Sequence, residues 1–435
     1  MIVVLLIFLF LLFIGVPVGF SLGISGVFYF LQHMELPLGT IVQLPISQTQ
    51  SVTLLAVPLF IFAGSLMNSS GITSRLIKLS MQVAGHMRGG MAQVSVVLST
   101  FMGGCSGSSN ADAAMEARIL GPEMLKQNYP KGYTAVVIGF TSLITSTIPP
   151  GVGMILYGTV GEVSIGRLFT AGIMSGLIMM AAFMLTVAIT ARIRKFPRAR
   201  EHRASLSEIA GSLKETIWAL IFPIVLIGSL RLGLFTPSEV GAFACVYAII
   251  VGFFVYKEMT IKSLIITLKE AIRDIGGIMF MISMSAIFAY GIPMDQIPQK
   301  LTTLITGFTN SQFVVVGIIF LLYVIFGMFM DGSIVILLLT PILMPIVRTV
   351  GIDPVLFGVV TSIIVTMGIL TPPVGIAMYI VNGILGVKMS EYLKESIPFF
   401  VVVILVGILL LAIPDVILFL RSEERRVGKE CRSRW

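Results

Sequence analysis

Charged residues are scarce in this chain, at 11% of 435 residues, whereas a soluble domain carries about a quarter. Hydrophobic residues make up 56%, and the mean hydropathy is +1.02. Apolar stretches long enough to cross a hydrocarbon core of about 30 Å recur from end to end. Helices satisfy their own backbone polar groups in lipid. The composition therefore excludes an ordinary soluble domain and predicts an all-α polytopic membrane protein.

Cysteine and histidine are also rare, with three of each. Neither set has the spacing of a disulfide framework or a zinc site; the residues are Cys105, Cys245, Cys431, His33, His86 and His202. No HExxH is present, and Gly104–Ser108 lacks the final glycine of a G-x-S-x-G nucleophile elbow. The same stretch lacks the G-K-[ST] ending of a P-loop. We therefore predict no enzymatic activity and no ATP site.

The charge that is present is mostly basic, giving a net +8 and a pI of about 9.4. A nucleic-acid partner could explain such a balance, but the charges lie between the apolar spans, where Lys and Arg mark cytoplasmic loops. The densest group is Arg192, Arg194, Lys195, Arg198, Arg200 and Arg203. We predict contact with the lipid bilayer, no nucleic acid, and a cytoplasmic location for this loop.

The two ends of the chain need separate interpretation. Met1–Phe13 has no basic n-region and no convincing cleavage site after it, so we interpret it as a membrane helix and not as a signal peptide. Residues 421–435 change abruptly to charged sequence. They fit either a native basic tail or a non-native read-through or assembly scar, and we favour the second and exclude 421–435 from the fold.

Two Pro-Pro pairs, Pro149-Pro150 and Pro372-Pro373, interrupt long apolar sequence. Each follows a polar interruption: Ser106 precedes Pro149 by 43 positions, and Gly332 precedes Pro372 by 40. Proline removes a backbone donor and clashes with the preceding turn, so each pair should break its helix. Broken helices in matching places of two halves point to the binding site of a transporter.

These interruptions divide the chain into two repeats. We predict full spans near 1–31, 51–68, 167–192, 213–231, 236–256, 274–291 and 397–420. Repeat 1 is 51–192, with a re-entrant hairpin at about 91–125 and a broken helix at 132–161. Repeat 2 is 274–420, with a hairpin at about 312–348 and a broken helix at 354–386. An N-terminal scaffold helix fills 1–50. Residues 193–273 form a cytoplasmic linker (192–212), scaffold helices and an arm.

Charge bias predicts that the repeats are inverted in the membrane. Basic residues flank the first hairpin, whereas the opposite charges of Arg348 and Asp353 cancel beside the second hairpin. The bias reverses after the broken helices, where the second repeat has Lys388 and Lys394. By the positive-inside rule, the first hairpin should enter from the cytoplasm and the second from outside. The arm, 257–274, has the pattern of an amphipathic helix at the membrane surface, although a soluble connector packed on other loops fits nearly as well.

The first hairpin tip carries hydroxyl, amide and carboxylate groups beside glycines. Such oxygens are ligands for a hard cation such as Na⁺, and the helix that opens at Asn110 could face an anion. The alternative is a polar tip that merely closes a buried turn. Because polar groups at membrane depth are costly, we favour function. Glu116 and Arg118 could reach each other and stay structural.

Asp331, at the second tip, is a carboxylate within an apolar run from Val314 to Met344. An isolated charge there must be protonated or paired with a cation. Its possible roles are sodium ligand, proton carrier or simple N-cap of the next helix, and we favour sodium. Further oxygens lie beside the Pro-Pro breaks, at Thr145, Ser146, Thr147, Thr366 and Thr371.

The stretch Gly103–Ala114, together with the two Pro-Pro helices, resembles the large membrane subunit of tripartite ATP-independent periplasmic (TRAP) transporters over residues 1–420. The resemblance implies an elevator-type secondary transporter with a scaffold and a moving transport domain. It also implies a small four-helix membrane subunit, forming a heterodimer, and a periplasmic substrate-binding protein that delivers an organic acid.

The resemblance further implies Na⁺ as the coupling ion, bound at two sites where a hairpin meets a broken helix. By position, the candidate ligands are Ser106, Ser108, Asn110, Thr145, Ser146 and Pro149 for one site, and Asp331, Gly332, Thr371 and Pro372 for the other. The candidate substrate contacts between them are Ser108, Asn110, Asp112, Thr147, Gly151, Gly332, Ser333, Pro373 and Gly375.

The sequence thus predicts Na⁺-coupled import of an organic acid across a bacterial inner membrane. A sialic acid, a C4-dicarboxylate or another small acid would fit. One alternative is a stand-alone divalent-anion/Na⁺ symporter, which would need no binding protein. Another is a non-transporting membrane scaffold, which would leave Asp331 and both Pro-Pro breaks unexplained.

Overall fold

The computed structural model describes residues 1–308 and 311–414, and this part of the chain is helical with no strand. The first ten helices are α1 Ile2–Phe13, α2 Val18–Gln32, α3 Gly39–Thr49, α4 Ala56–Ser69, α5 Ile72–Ala84, α6 Gly90–Gly103, α7 Ser109–Lys126, α8 Lys131–Thr147, α9 Val152–Val160 and α10 Ile165–Arg194. They are followed by α11 Leu206–Arg231, α12 Pro237–Ile250, α13 Ile261–Met294, α14 Ile297–Phe308, α15 Gln312–Phe329, α16 Gly332–Thr349, α17 Pro354–Gly368, α18 Ile376–Leu385 and α19 Met389–Ala412. A π-helical turn, Val251–Val255, extends α12.

The predicted membrane protein is confirmed. Within the described residues, seven helices are long and apolar enough to cross a bilayer, or up to nine if two bent pairs each count as one span. These helices expose much of their apolar surface; only 22% of the most apolar window of α11 is buried, for example. Large exposed apolar faces are unfavourable in water, so a multi-pass position in lipid explains them.

Both predicted helix interruptions are present. The first helix ends at Thr147 and resumes at Val152 with a bend of 45°. The second ends at Gly368 and resumes at Ile376. At each break a Pro-Pro pair lacks the two N–H donors that a continuous helix would need.

The two halves of the chain repeat the same order of elements. In each, a pair of helices (α6 and α7, α15 and α16) precedes a broken helix (α8 and α9, α17 and α18). The hairpin of each half packs against the broken helix of the other half: α7 packs against α18, and α16 packs against α9. This pattern agrees with an internal repeat. Inversion in the membrane, re-entry of the hairpins and the division into scaffold and transport domain stay predictions.

The long halves of the broken helices, α8 and α17, form the centre of the protein. Nearly every residue of α8 from Gly132 to Thr147 is buried, and α17 is buried from Val355 to Gly368. A helix that is apolar on all sides must be surrounded by other helices. The two Pro-Pro breaks therefore lie at the ends of the most enclosed helices, where a binding site is screened from lipid.

Several predicted elements need correction. Residues 1–31 form two helices, because Pro17 follows Gly15, whose φ is +87°. The arm predicted at 257–274 is not separate from the next span, because α13 begins at Ile261 and continues through Arg273 and Asp274 into it; its position at the membrane surface stays a prediction. Charged side chains do not remove backbone hydrogen bonds, so they do not end a helix.

The linker between the halves is shorter than 192–212. It ends where Ser205 and Glu208 form a capping box that starts α11. The predicted N-terminal scaffold helix over 1–50 also includes a separate third helix, α3, none of whose residues is buried. The last predicted span, near 397–420, corresponds to α19, which begins earlier, at Met389. The tail, 421–435, lies outside the described residues.

Candidate functional site

A cavity of about 640 Å³ lies where the two hairpin tips meet. The loop between α6 and α7 forms one wall, and the start of α16 forms another. Parts of α4, α8, α9, α13 and α17 complete it. Small-molecule sites typically have volumes of about 300–1,000 Å³, so the cavity has room for a small organic molecule.

The two tips are joined directly by a hydrogen bond. Asn110 Nδ2 donates to Asp331 Oδ2 over 3.0 Å. The other carboxylate oxygen, Asp331 Oδ1, accepts from the backbone N–H of Ser333 over 2.9 Å and caps α16. Asp331 is therefore an N-cap, as one alternative predicted, and also the contact point between the two halves.

Each hairpin is also fixed against the Pro-Pro break of its own half. Gly107 has φ +60°, and a Cβ there would lie 2.1 Å from the carbonyl oxygen of Pro150. Only glycine permits this approach without strain. In the second half, the backbone N–H of Gly375 donates to the carbonyl of Met328, at the end of α15, over 3.0 Å.

A second link joins the halves at the broken helices. Ser146 Oγ lies 3.3 Å from Thr366 Oγ1, and both residues line the cavity. Thr366 donates to the carbonyl of Ser362 over 2.6 Å, which orients its hydroxyl. The tip contact and this hydroxyl pair therefore place polar groups from both repeats around one space.

Two buried oxygens in this wall have no hydrogen-bond partner among the described residues: Ser106 Oγ and Asn110 Oδ1. Unpaired buried oxygens are costly, and most buried polar atoms in folded proteins have a partner. Hydroxyl and amide oxygens are hard ligands that suit a cation such as Na⁺. The donor set beside the first tip therefore fits the predicted cation.

Asp112 lies in a buried network beneath the first tip and does not line the cavity. Its Oδ2 is 2.9 Å from Ser99 Oγ and 2.6 Å from Thr145 Oγ1, and its Oδ1 has no partner in the described part of the chain. Ser99 Oγ also lies 2.8 Å from Glu116 Oε1. The predicted pairing of Glu116 with Arg118 is wrong, because Glu116 is fully buried and Arg118 is exposed.

The structure brings together about half of the predicted site residues. Those that line the cavity are Ser106, Ser108, Asn110, Ser146, Asp331, Gly332 and Ser333. Those that do not are Asp112, Thr145, Thr147, Pro149, Gly151, Thr371, Pro372, Pro373 and Gly375. The hydroxyl of Thr147 donates to the carbonyl of Leu143, one turn earlier in α8, over 2.7 Å. That of Thr371, just after α17, donates to the carbonyl of Met367 over 2.8 Å.

The sequence reasoning missed several polar residues of the cavity wall: Ser65, Asn68, Arg273, Asp274 and Ser362. Asn68 could have been found as a polar residue that ends an apolar span. Arg273 and Asp274 were assigned to a surface arm because no helix was expected to continue beyond them. Ser362 carries no local signal, since its position depends on the packing of α17.

A family model described as "Tripartite ATP-independent periplasmic transporter, DctM component" matches residues 5–416. The chain is 34% identical to the 2,3-diketo-L-gulonate TRAP transporter large permease protein YiaN of Escherichia coli (strain K12), over 93% of this chain and 95% of that one. It is 32% identical to the sialic acid TRAP transporter large permease protein SiaM of Vibrio cholerae, over 94% and 96%.

Among solved structures, the YdaH transporter of Alcanivorax borkumensis has a similar fold, with a TM-score of 0.60 and 15% identity, covering 85% of this chain and 88% of that one. At that identity the likeness concerns the fold alone. Members of the matched family are permeases and not enzymes, and they transport sialic acid, C4-dicarboxylates and other acids. Membership of this family implies a small membrane subunit and a periplasmic binding protein as partners. This chain belongs to the family of TRAP transporter large permease proteins.

Proposed function

We propose that this protein imports an organic acid across a bacterial inner membrane by Na⁺-coupled secondary transport. A periplasmic binding protein would deliver the acid, and a small four-helix subunit would form a heterodimer with this chain. The observation that carries the proposal is the cavity between the hairpin tips, where Asn110 contacts Asp331 and two buried oxygens have no partner in the described residues.

Sodium has a physical reason to bind before the acid. A substrate carboxylate held about 4 Å from Asp331 would be repelled by about 4 kcal/mol at an effective dielectric constant of about 20. A Na⁺ ion beside the Asp331 carboxylate would remove most of that cost. Ion and anion would therefore favour each other's binding, which is the coupling that symport requires.

The first proposed sodium site uses the tip of hairpin 1. Ser106 Oγ and Asn110 Oδ1 are the oxygens in need of a partner, and Ser108 and Ser146 lie in the same wall. Thr145 is already hydrogen-bonded to Asp112. It would therefore not be a ligand of the ion, but would support the site by stabilising the tip of hairpin 1. Asp331 and Gly332 would form the second site.

The acid would lie between the two sodium sites. Relatives carry names that specify 2,3-diketo-L-gulonate and sialic acid, and a small acid of this kind suits a cavity of about 640 Å³. Asn110 and Ser333 offer donors in the wall. We therefore propose a small, hydroxylated or dicarboxylic organic anion as the substrate class.

We also propose an elevator mechanism, in which the two hairpins and the two broken helices move as one body. The exchange of contacts between α7 and α18, and between α16 and α9, ties these elements into one unit. Helix α13 packs against α2, α3 and α4 and also contacts α16. A cysteine cross-link between α13 and α16 should then stop uptake, and uptake at the full rate after complete cross-linking would contradict this mechanism.

The test is uptake into proteoliposomes that contain this chain, its small subunit and the loaded binding protein. The probes are radiolabelled succinate, N-acetylneuraminate, 2,3-diketo-L-gulonate and isethionate. We expect at least one acid to accumulate only with an inward Na⁺ gradient. Equal accumulation with K⁺ replacing Na⁺ would refute sodium coupling, and uptake by this chain alone would favour the stand-alone symporter.

A further inference from the structure

Helix α13 carries two consecutive charges, Arg273 and Asp274, in the wall of the cavity. They stand 12 and 13 residues after the start of a 34-residue helix, and Ile272 and Ile275 flank them. At 1.5 Å per residue, this is about 18 Å along the helix. Charged side chains that line a cavity between membrane helices normally serve a function.

Arg273 has no salt-bridge partner in the described part of the chain. Other basic side chains do have one: Arg75 with Glu258, and Arg194 with Glu395, for example. Asp274 adjoins Arg273 in sequence, but adjacent positions on a helix do not face each other. The guanidinium of Arg273 is therefore available to a ligand.

The surface of α13 next to Arg273 is open. Gly277, one turn further along the helix, also lines the cavity, and a Cβ there would meet no atom within 4 Å. No neighbouring side chain fills the space beside this turn of the helix. A ligand between the tips could therefore approach α13 closely.

The charges around the cavity indicate what Arg273 binds. Of the residues that line it in the described chain, Arg273 is the one cation, whereas Asp274 and Asp331 are anions. A guanidinium presents five donors in a planar fork that matches a carboxylate. We propose that Arg273 binds the acidic group of the transported substrate, opposite the hairpin tips. This inference rests on the proposed function, since it needs an organic acid in this cavity.

The test is direct binding of the acid that the wild type takes up from the four probes named above. The titration follows the thermal stability of the purified complex of this chain with its small subunit, in NaCl of fixed concentration. Arg273→Gln should raise the dissociation constant about tenfold or more, the effect of losing a hydrogen-bonded contact between charged groups. Arg273→Lys should recover part of the loss, because it keeps the charge but not the fork.

Two further variants separate charge recognition from a structural effect. Asp274→Asn removes a neighbouring negative charge and should leave the dissociation constant unchanged or lower it. Lys269→Gln removes a positive charge one turn earlier on α13, at an exposed residue that does not line the cavity, and should change nothing. The sodium concentration for half-maximal binding should stay within about twofold in all four variants, because Arg273 is not a sodium ligand.

Three results would overturn the assignment. The first is wild-type affinity for the acid in Arg273→Gln. The second is equal weakening by Asp274→Asn, which would indicate a general effect on α13. The third is a loss in Arg273→Gln that is confined to sodium affinity. Failure of the proposed function has a different signature, since the wild type itself would then take up none of the acids.

Discussion

The contact between Asn110 and Asp331 gives the sharpest test of how the two halves cooperate. The two side chains are 3.0 Å apart, and the bond joins a neutral donor to a carboxylate. Asn110→Ala should cost about 1.5–3 kcal/mol, the usual contribution of a hydrogen bond to a charged group. Asn110→Asp keeps the shape but places two carboxylates at the same distance. The repulsion is about 5 kcal/mol at an effective dielectric constant of about 20.

The two variants should therefore respond differently to cations and protons. The assay is the thermal stability of the purified complex, and uptake in proteoliposomes, in NaCl against KCl of equal ionic strength. Asn110→Asp should be the more impaired in KCl. Added Na⁺ or a lower pH should restore it in part, because either can neutralise one carboxylate of a close pair. Asn110→Ala should not be rescued, because it lacks the second charge.

A matched control is Asn128→Asp, which adds the same charge at an exposed residue after α7. It should behave like the wild type in both salts. The reasoning would be refuted if Asn110→Asp matched the wild type in KCl, or if Na⁺ restored Asn110→Ala and Asn110→Asp equally. Either result would mean that the tips do not meet as the structure has them.

Three other predictions follow from the same geometry. Gly107→Ala should lower stability by about 2 kcal/mol or more in thermal unfolding, because its Cβ would clash with Pro150; Gly233→Ala, with a similar φ of +67° and open space, should lose only the backbone cost of about 1 kcal/mol. Asp112→Ala should destabilise by about 1 kcal/mol, because Ser99 and Thr145 each lose one acceptor but keep Glu116 Oε1 and the Ser99 carbonyl, respectively, and Asp112→Asn should lose less; equal losses would contradict this network. Asp331→Ala and Asp353→Ala should each lose an N-cap, about 1 kcal/mol, and Asp331→Ala should lose the bond from Asn110 in addition. Only Asp331→Ala should weaken the sodium dependence of uptake; an unchanged sodium response would remove Asp331 from the site.

The sequence was most informative where backbone chemistry leaves no choice. A Pro-Pro pair cannot continue a helix whatever surrounds it, so both breaks could be placed within a few residues. Low charge and long apolar runs specify a membrane protein for an equally general reason. The charges at Arg273 and Asp274 misled the prediction, because a helix tolerates charge wherever its side chains face a cavity.

The sequence by itself determined the all-helical membrane class, the two interrupted helices, the polar tips and the family resemblance. Each depends on local composition or spacing. Only the tertiary structure decided which oxygens share one space. Asn110 and Asp331 lie 221 positions apart and meet because the two hairpins pack tip to tip. Asp112, two residues from Asn110, points instead into a buried network. Two residues, about half a turn of a helix, are enough to separate the cavity from the core, and packing decides which residue faces which.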